Sequence, residues 1–331
     1  MKTLVPGGTG WVGRAVCAAL AGAGHEVVAV ARRRVPVPDG VRLCTADASS
    51  GDLAGLLARE RPDAVVNAAG GYWTGDPAAM RSSFGGVTGR LLEALGDVRL
   101  VQLGTLLEYV PPEPGALLTE ASPTRPDTEY GRIKLADSEA VLRAAADAVV
   151  LRLPNVCGPG APEASLPGRV VAQLRSGAEV LELSALRTER DYVDVRDVAA
   201  AVVAAVRGRT TGVVNLGTGT PVPVRSLVQG LIRATGRPVR LVERAVPDGP
   251  VPGGLVSAAD PARARALLGW SATIPLERSL RDHWAEVQGG DALLPRPVRG
   301  AGGTPGYRWG RNCATSHSRP AVAAPGRLER L

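Results

Sequence analysis

The chain is poor in aromatic side chains, in cysteine and in lysine. Only 3% of its 331 residues are Phe, Trp or Tyr, with a single phenylalanine, Phe84. So few aromatic faces leave little for the bases of single-stranded nucleic acid to stack on. The four cysteines, Cys17, Cys44, Cys157 and Cys313, have neither the spacing of a disulfide framework nor that of zinc ligands. Cys17 and Cys44 fall in apolar patterns that read as core, and no metal site is expected. No apolar run approaches the length of a membrane span, and the N-terminus leads directly into a strand and a glycine loop without a secretory leader. A cytoplasmic protein with no membrane partner is the expectation.

The net charge of +7 would suit nucleic acid, but its location argues otherwise. From Gln288 onward seven arginines face only Asp291 and Glu329, a surplus of five. This stretch, 288–331, is rich in Pro, Gly, Ser and Arg without apolar periodicity, and is expected to be a disordered extension. No nucleic-acid partner is expected. The rest of the chain is long enough for one two-lobed domain or two domains with a real core.

The scarcity of lysine is the most informative absence. Lys2 and Lys134 are the only lysines among 39 basic residues, so an indifferent basic position would hold arginine. Lys134 follows Tyr130 by four residues at the start of a helical pattern, in which Asp127 and Thr128 can cap and Ile133, Ala136, Ala140, Val141 and Ala144 form an apolar stripe. Residues four apart share a helix face, which places phenol and ammonium side by side. A nearby cation favours the phenolate, so the tyrosine pKa is expected to fall towards the working pH. A helix-surface tyrosine with a solvated lysine is the plainer reading, and the composition argues against it.

Taken from the start, residues 2 to 5 read as a strand, followed by Pro6 and Gly7-Gly8-Thr9-Gly10-Trp11-Val12-Gly13. Glycines at 7, 10 and 13 let the backbone approach a pyrophosphate at a helix N-terminus. Val12, Val16 and Leu20 continue that helix to about Gly22, and Val27 to Ala31 form a second buried strand. This is the opening of a dinucleotide-binding βαβ unit. At the end of the second strand an acidic residue would accept hydrogen bonds from ribose hydroxyls, but here Ala31 is followed by Arg32, Arg33 and Arg34. Arginine suits a 2′-phosphate, so NADPH is expected, with NAD as the alternative. Val41 to Cys44 read as a strand, and Asp47, with Ala48 beside it, stands where a carboxylate could reach the adenine. Leu53 to Ala58 look helical, and Ala64 to Val66 lead to Asn67-Ala68-Ala69-Gly70, small residues that let the cofactor lie close. Tyr72, Trp73 and the segment to Phe84 read as an irregular loop near the cleft. A helix follows through Leu91, Leu92 and Leu95, then a strand from Leu100 to Leu103 that closes with Gly104 and Thr105.

From residues 2 to 287 the chain resembles the extended short-chain dehydrogenase/reductases of the NAD-dependent epimerase/dehydratase type. The resemblance rests on the glycine turn, Asp47, Thr105, Tyr130 and Lys134, and on Leu151-Arg152-Leu153-Pro154-Asn155-Val156-Cys157-Gly158-Pro159-Gly160. It also includes the stretch from Arg190 to Ala199, Asn215-Leu216-Gly217-Thr218-Gly219 and Leu267-Leu268-Gly269-Trp270. It implies an α/β fold, a Rossmann-type doubly wound parallel sheet with a smaller C-terminal substrate-binding lobe. The cofactor domain would take residues 1–155, with a return at about 189–219, and the lobe 156–188 and 220–287. A homodimer packed through helices, including the one bearing Tyr130, is implied by the same analogy.

The resemblance also implies roles. Thr105, Tyr130 and Lys134 would be catalytic: Tyr130 gives a proton to a carbonyl oxygen as hydride reaches its carbon, Thr105 polarises that oxygen, and Lys134 holds the nicotinamide ribose and tunes Tyr130. Pro154 and Val156 would line the cofactor, and Asn155 and Arg190 would approach the diphosphate of a nucleotide-sugar substrate. Departures narrow the reaction. Dehydratases carry an Asp-Glu pair after the threonine, where this chain has Leu106 and Leu107, and aliphatic groups cannot move protons. The asparagine usual ahead of the Leu91 helix is replaced, at about that spacing, by Phe84, and Cys157 stands where tyrosine is common. The expectation is an NADPH-dependent 4-ketoreductase of a nucleotide-activated, dTDP-type 4-keto-6-deoxyhexose, supplying sugars for glycosylated natural products. The alternatives are a nucleotide-sugar 4-epimerase with tightly held NAD and a non-catalytic dinucleotide-binding sensor.

Overall fold

The computed structural model describes residues 1–70, 78, 80, 81, 84–113, 115–245, 249 and 251–289. The expectations for Tyr72 and Trp73, for Cys313 and for the tail from 290 onward lie outside the described residues. The first half alternates strand and helix: β1 (Lys2–Pro6), α1 (Trp11–Gly22), β2 (Glu26–Ala31), β3 (Val41–Thr45), α2 (Leu53–Glu60), β4 (Ala64–Asn67), α3 (Gly85–Ala94), β5 (Arg99–Thr105), α4 (Glu129–Ala144) and β6 (Ala148–Leu153). There follow β7 (Asn155–Cys157), α5 (Leu166–Arg175), β8 (Val180–Ser184), β9 (Glu189–Arg190), β10 (Tyr192–Asp194), α6 (Val195–Arg207) and β11 (Gly212–Asn215). The last elements are β12 (Val222–Pro223), α7 (Val224–Ala234), β13 (Arg240–Arg244), β14 (Val256–Ser257), α8 (Ala262–Leu268) and α9 (Leu276–Val287).

Seven strands make one parallel sheet in the order β11-β6-β5-β4-β1-β2-β3, the doubly wound Rossmann-type arrangement that the family resemblance implied. Side chains alternate between its faces. Val5 of β1 joins Val16 and Leu20 of α1 and Val202 of α6, whereas Leu4 joins Leu57 of α2 and Leu91 of α3. With both faces covered, most strand residues are apolar, and each fully buried Val or Leu contributes about 1.5–3 kcal/mol. A third cluster lies beyond β6, where Val170 and Leu174 of α5 pack with Leu227 and Leu231 of α7 and Leu280 of α9. The chain returns to the main sheet at β11, which pairs with β6.

Sequence order at the switch point is what positions a ligand. β1 and β4 are neighbours while their chains leave to opposite sides, so the loops at their C-terminal ends diverge and leave a crevice. Among the described residues no helix is long and apolar enough to cross a membrane.

One buried histidine makes the third cluster sensitive to acid. His283 on α9 is buried with no hydrogen-bond partner on Nδ1, and burial pushes its pKa down to about 4 against the pull of Asp194. The folded state thus holds the ring neutral below its ordinary value of 6.5. Its contribution is present above pH 6.5 and is lost as the pH falls towards 4, because the unfolded chain takes the proton first. His283→Gln is expected to remove on the order of 3 kcal/mol of that acid-dependent loss. The measurement is the slope of the urea midpoint against pH.

Candidate active site

The loop after β1 is built so that only glycine fits. A Cβ on Gly13 would lie 2.1 Å from the Gly7 carbonyl oxygen, and one on Gly7, whose φ is +77°, 2.4 Å from the Ala68 oxygen. Gly7 therefore packs directly on the segment that leaves β4. Asn67 fixes that segment: its Nδ2 donates to Gln102 Oε1 (2.9 Å) and Thr88 Oγ1 (3.2 Å), and its Oδ1 accepts from Ala69 N. α1 begins at Gly10 with no side-chain cap and no acid in its first turn, so its N–H groups and dipole suit an anion. These features fit a dinucleotide pyrophosphate, with Gly7, Thr9, Gly10, Trp11, Val12 and Gly13 on one side of the crevice and Ala68, Ala69 and Gly70 on the other.

Arg32 is exposed just beyond β2. Asp47 sits near it, and its carboxylate accepts from Ser49 N (2.9 Å) and Ser49 Oγ (2.6 Å). Those hydrogen bonds, with a smaller push from Arg32, lower its pKa. Ala48 is half-buried beside it, as is Val156, whereas Pro154 is buried. Trp11 reaches across the crevice, its indole N–H donating to the Pro159 carbonyl at 2.7 Å.

β5 carries Thr105, and α4, packed on β5 and on the turn after it, carries Tyr130 and Lys134. Thr105 ends β5 and caps the 3-10 turn Leu106–Glu108; its Oγ accepts from Leu107 N at 3.3 Å, which leaves its O–H to donate. Thr128 alone caps α4, through Gly131 N. Asp127, expected to share that role, instead accepts from Gly253 N at 2.9 Å. The buried face of α4 also differs from the expected stripe. Ala136 and Ala144 are exposed, and the inward residues are Gly131, Ile133, Lys134, Asp137, Ser138 and Val141. That face packs on β5 and α3, with Val141 and Ile133 in apolar clusters and the polar side chains between them.

Electrostatics there run opposite to expectation. Burial, helped by Glu108 and Asp137, raises the Tyr130 pKa, so the phenol keeps its proton. Burial lowers the pKa of Lys134, opposed by Asp137 and Glu108. For each group desolvation is the largest influence.

Sequence reading passed over Glu108. It is fully buried, its Oε1 accepting from Thr105 N (2.9 Å) and its Oε2 paired with Arg152 Nε at 2.7 Å. Arg152 also lies over the Tyr109 ring, 4.3 Å from the centroid, and the Tyr109 hydroxyl donates to Asn215 Oδ1 at 2.7 Å. Burial raises the Glu108 pKa, against Arg152. The signal was in the chain: Thr105-Leu106-Leu107-Glu108 is a capping box.

Asn155, on β7, is exposed. The Arg190 guanidinium donates to the carbonyls of Glu189 (2.9 Å), Gly254 (2.8 Å) and Leu255 (3.1 Å), and so holds the turn around Gly253. That turn lies against Leu107, two residues after Thr105: a Cβ on Gly253 would be 2.7 Å from Leu107 Cδ2.

Residues 3–217 match the profile described as the NAD dependent epimerase/dehydratase family. The chain belongs to that family. This epimerase/dehydratase-family chain is 40% identical over 300 residues to the dTDP-6-deoxy-L-talose 4-dehydrogenase (NAD(P)(+)) of Kitasatospora kifunensis, covering 86% of the chain and 94% of that protein. It is 32% identical over 303 residues to a UDP-glucose 4-epimerase of Streptomyces lividans, covering 82% and 91%. Its structure is similar to that of MoeE5 in complex with UDP-glucuronic acid and NAD, with a TM-score of 0.77, 27% identity and coverage of 87% and 99%.

Proposed function

We propose that the chain reduces the 4-keto group of a nucleotide-activated, dTDP-type 4-keto-6-deoxyhexose with NADPH, in the making of deoxysugars for natural products. The observation that carries this reading is Tyr130, partly buried against the Phe84 ring that Lys134 also meets, with its pKa raised by burial so that the phenol keeps its proton. It is supported by the similarity to a dehydrogenase of a dTDP-6-deoxyhexose. The bound cofactor would supply hydride to C4. Thr105 donates to the C4 oxygen, the Tyr130 phenol gives that oxygen its proton, and Lys134 holds the ribose and offsets the charge left on the tyrosine. The proton is then restored from solvent.

Arg32, exposed beyond β2, would pair with the 2′-phosphate, and Asp47 with the adenine. Asn155 would approach the substrate diphosphate, and Arg190 would act there through the Gly253 turn that it holds. The 156–188 and 220–287 segments would choose the sugar and base. Leu106, buried, and Leu107, under Gly253, disfavour dehydration, since neither moves a proton.

Similarity to UDP-glucose 4-epimerases favours one second reading, internal redox recycling on tightly held NAD. Fluorescence titration of purified protein with NADPH and NADH, after a check for retained cofactor, separates the two. Empty protein that binds NADPH at least about tenfold tighter, a difference of about 1.4 kcal/mol, and consumes it with the ketosugar is the expected result. Retained NAD, with sugar interconversion and no added reductant, would establish the epimerase.

A further inference from the structure

The only phenylalanine of the chain touches both members of its catalytic pair. Phe84 precedes α3 and is 6% exposed, in a small cluster with Met80, Ile133 and Tyr130. Its ring centroid is 5.4 Å from that of Tyr130 with the planes 70° apart, an edge-to-face contact. Lys134 Nζ lies over the same ring, 5.6 Å from its centroid. The ring is also wedged from below: a Cβ on Gly70 would come within 2.4 Å of Phe84 Cε1, so the end of β4 fixes its position.

We propose that Phe84 is the positioning residue of the Tyr130–Lys134 pair, its ring face holding the ammonium and its contact with the phenol setting the tyrosine's orientation. This rests on the assignment of Tyr130 and Lys134 as catalytic. An aromatic ring suits the place because the pair must be kept dry and a charge must still be held. A polar amide would bring hydration with it, whereas the negative face of a ring attracts a cation without any hydrogen-bond acceptor. The groups around Lys134 that bear on its charge are Asp137 on its own helix and Glu108 from the turn after β5, the latter already paired with Arg152 of β6. Among the described residues neither Asp137 nor Glu108 makes an ion pair with Lys134, Glu108 being paired with Arg152, so the Phe84 ring face is a close partner of the ammonium. Losing the face leaves the desolvation and removes part of what opposes it.

The composition makes a direct test possible. Lysine labelled with ¹³C and ¹⁵N in the full chain gives two side-chain signals, from Lys2 and Lys134, assigned with Lys2→Arg. In the wild type the Lys134 ε-methylene signal is expected upfield of that of Lys2, from the ring current. In Phe84→Leu it should move back, and the Lys134 titration midpoint should fall by about one pH unit. Phe84→Tyr, which keeps the ring, should preserve both. In parallel, kcat for ketosugar reduction should fall on the order of tenfold in Phe84→Leu, with KM little changed and the alkaline limb of the pH profile moved to lower pH. If Phe84→Leu fails a circular-dichroism check of folding, Phe84→Met carries the same comparison. A Lys134 signal and midpoint that stay put, or a midpoint that rises, overturn the proposal. Absence of ketosugar turnover by the wild type would sink the reductase reading, while the lysine titration still decides the role of Phe84.

Discussion

Tyr130→Phe is expected to lower kcat for ketosugar reduction by about 10²–10⁴-fold while leaving NADPH affinity within a small factor. The substitution removes one oxygen from a partly buried ring that packs against Phe84, so the apolar contacts persist and the fold should be unchanged. What is lost is the proton that the proposed mechanism delivers to the substrate oxygen, which the Thr105 hydroxyl polarises. Single-turnover kinetics with premixed NADPH would separate chemistry from binding. A variant that keeps wild-type kcat would remove Tyr130 from the mechanism. Because burial raises its pKa, wild-type reduction should hold steady through neutral pH and fail only where the tyrosine or Lys134 begins to lose its proton. The alkaline limb should therefore belong first to Lys134, whose value is lowered.

The largest stability effect should come from Arg152→Met. Arg152 and Glu108 are each at most 5% exposed at the side chain, and they form an ion pair at 2.7 Å. Removing the guanidinium leaves a buried carboxylate whose remaining hydrogen bond, among the described residues, is that from the Thr105 N–H, a loss of about 3–5 kcal/mol. The pH dependence gives the cause away. Glu108 already has a raised value in the folded state, and without Arg152 it should rise further. A carboxyl with a raised folded value binds its proton more readily when folded, so the variant should be least stable at high pH and regain stability as the pH falls towards the ordinary value of 4.5. Urea unfolding at pH 8 and pH 5 measures this. A penalty independent of pH would point to lost packing instead, including the stacking of Arg152 on Tyr109.

Much of the fold was legible in order along the chain. Strands buried on both faces announce themselves as unbroken apolar runs, and glycines between a strand and a helix mark the turn at the crevice, because backbone chemistry is local. The helix bearing Tyr130 and Lys134 was legible for the same reason, and the rarity of lysine singled out its position before any contact was known. Family membership followed from motifs spread over residues 3–217.

What local pattern could not supply was the environment of those side chains. Ala136 and Ala144 look like a core stripe, yet they face outwards, because α4 turns the side bearing Ile133, Lys134, Asp137 and Val141 onto β5 and α3. The pKa of Tyr130 moves up where the spacing alone said down, since dryness is a property of everything packed around a group and the i, i+4 neighbour is one contributor among several. Arg190 holds a turn 64 residues away, Glu108 meets Arg152 from a neighbouring strand, and Phe84 lands on Tyr130 and Lys134. The sequence by itself determined which residues could do chemistry and in which sheet they would sit. Only the tertiary structure decided which of them are dry, which are paired and which one aromatic ring stands over them, because these depend on contacts between segments that share no local pattern.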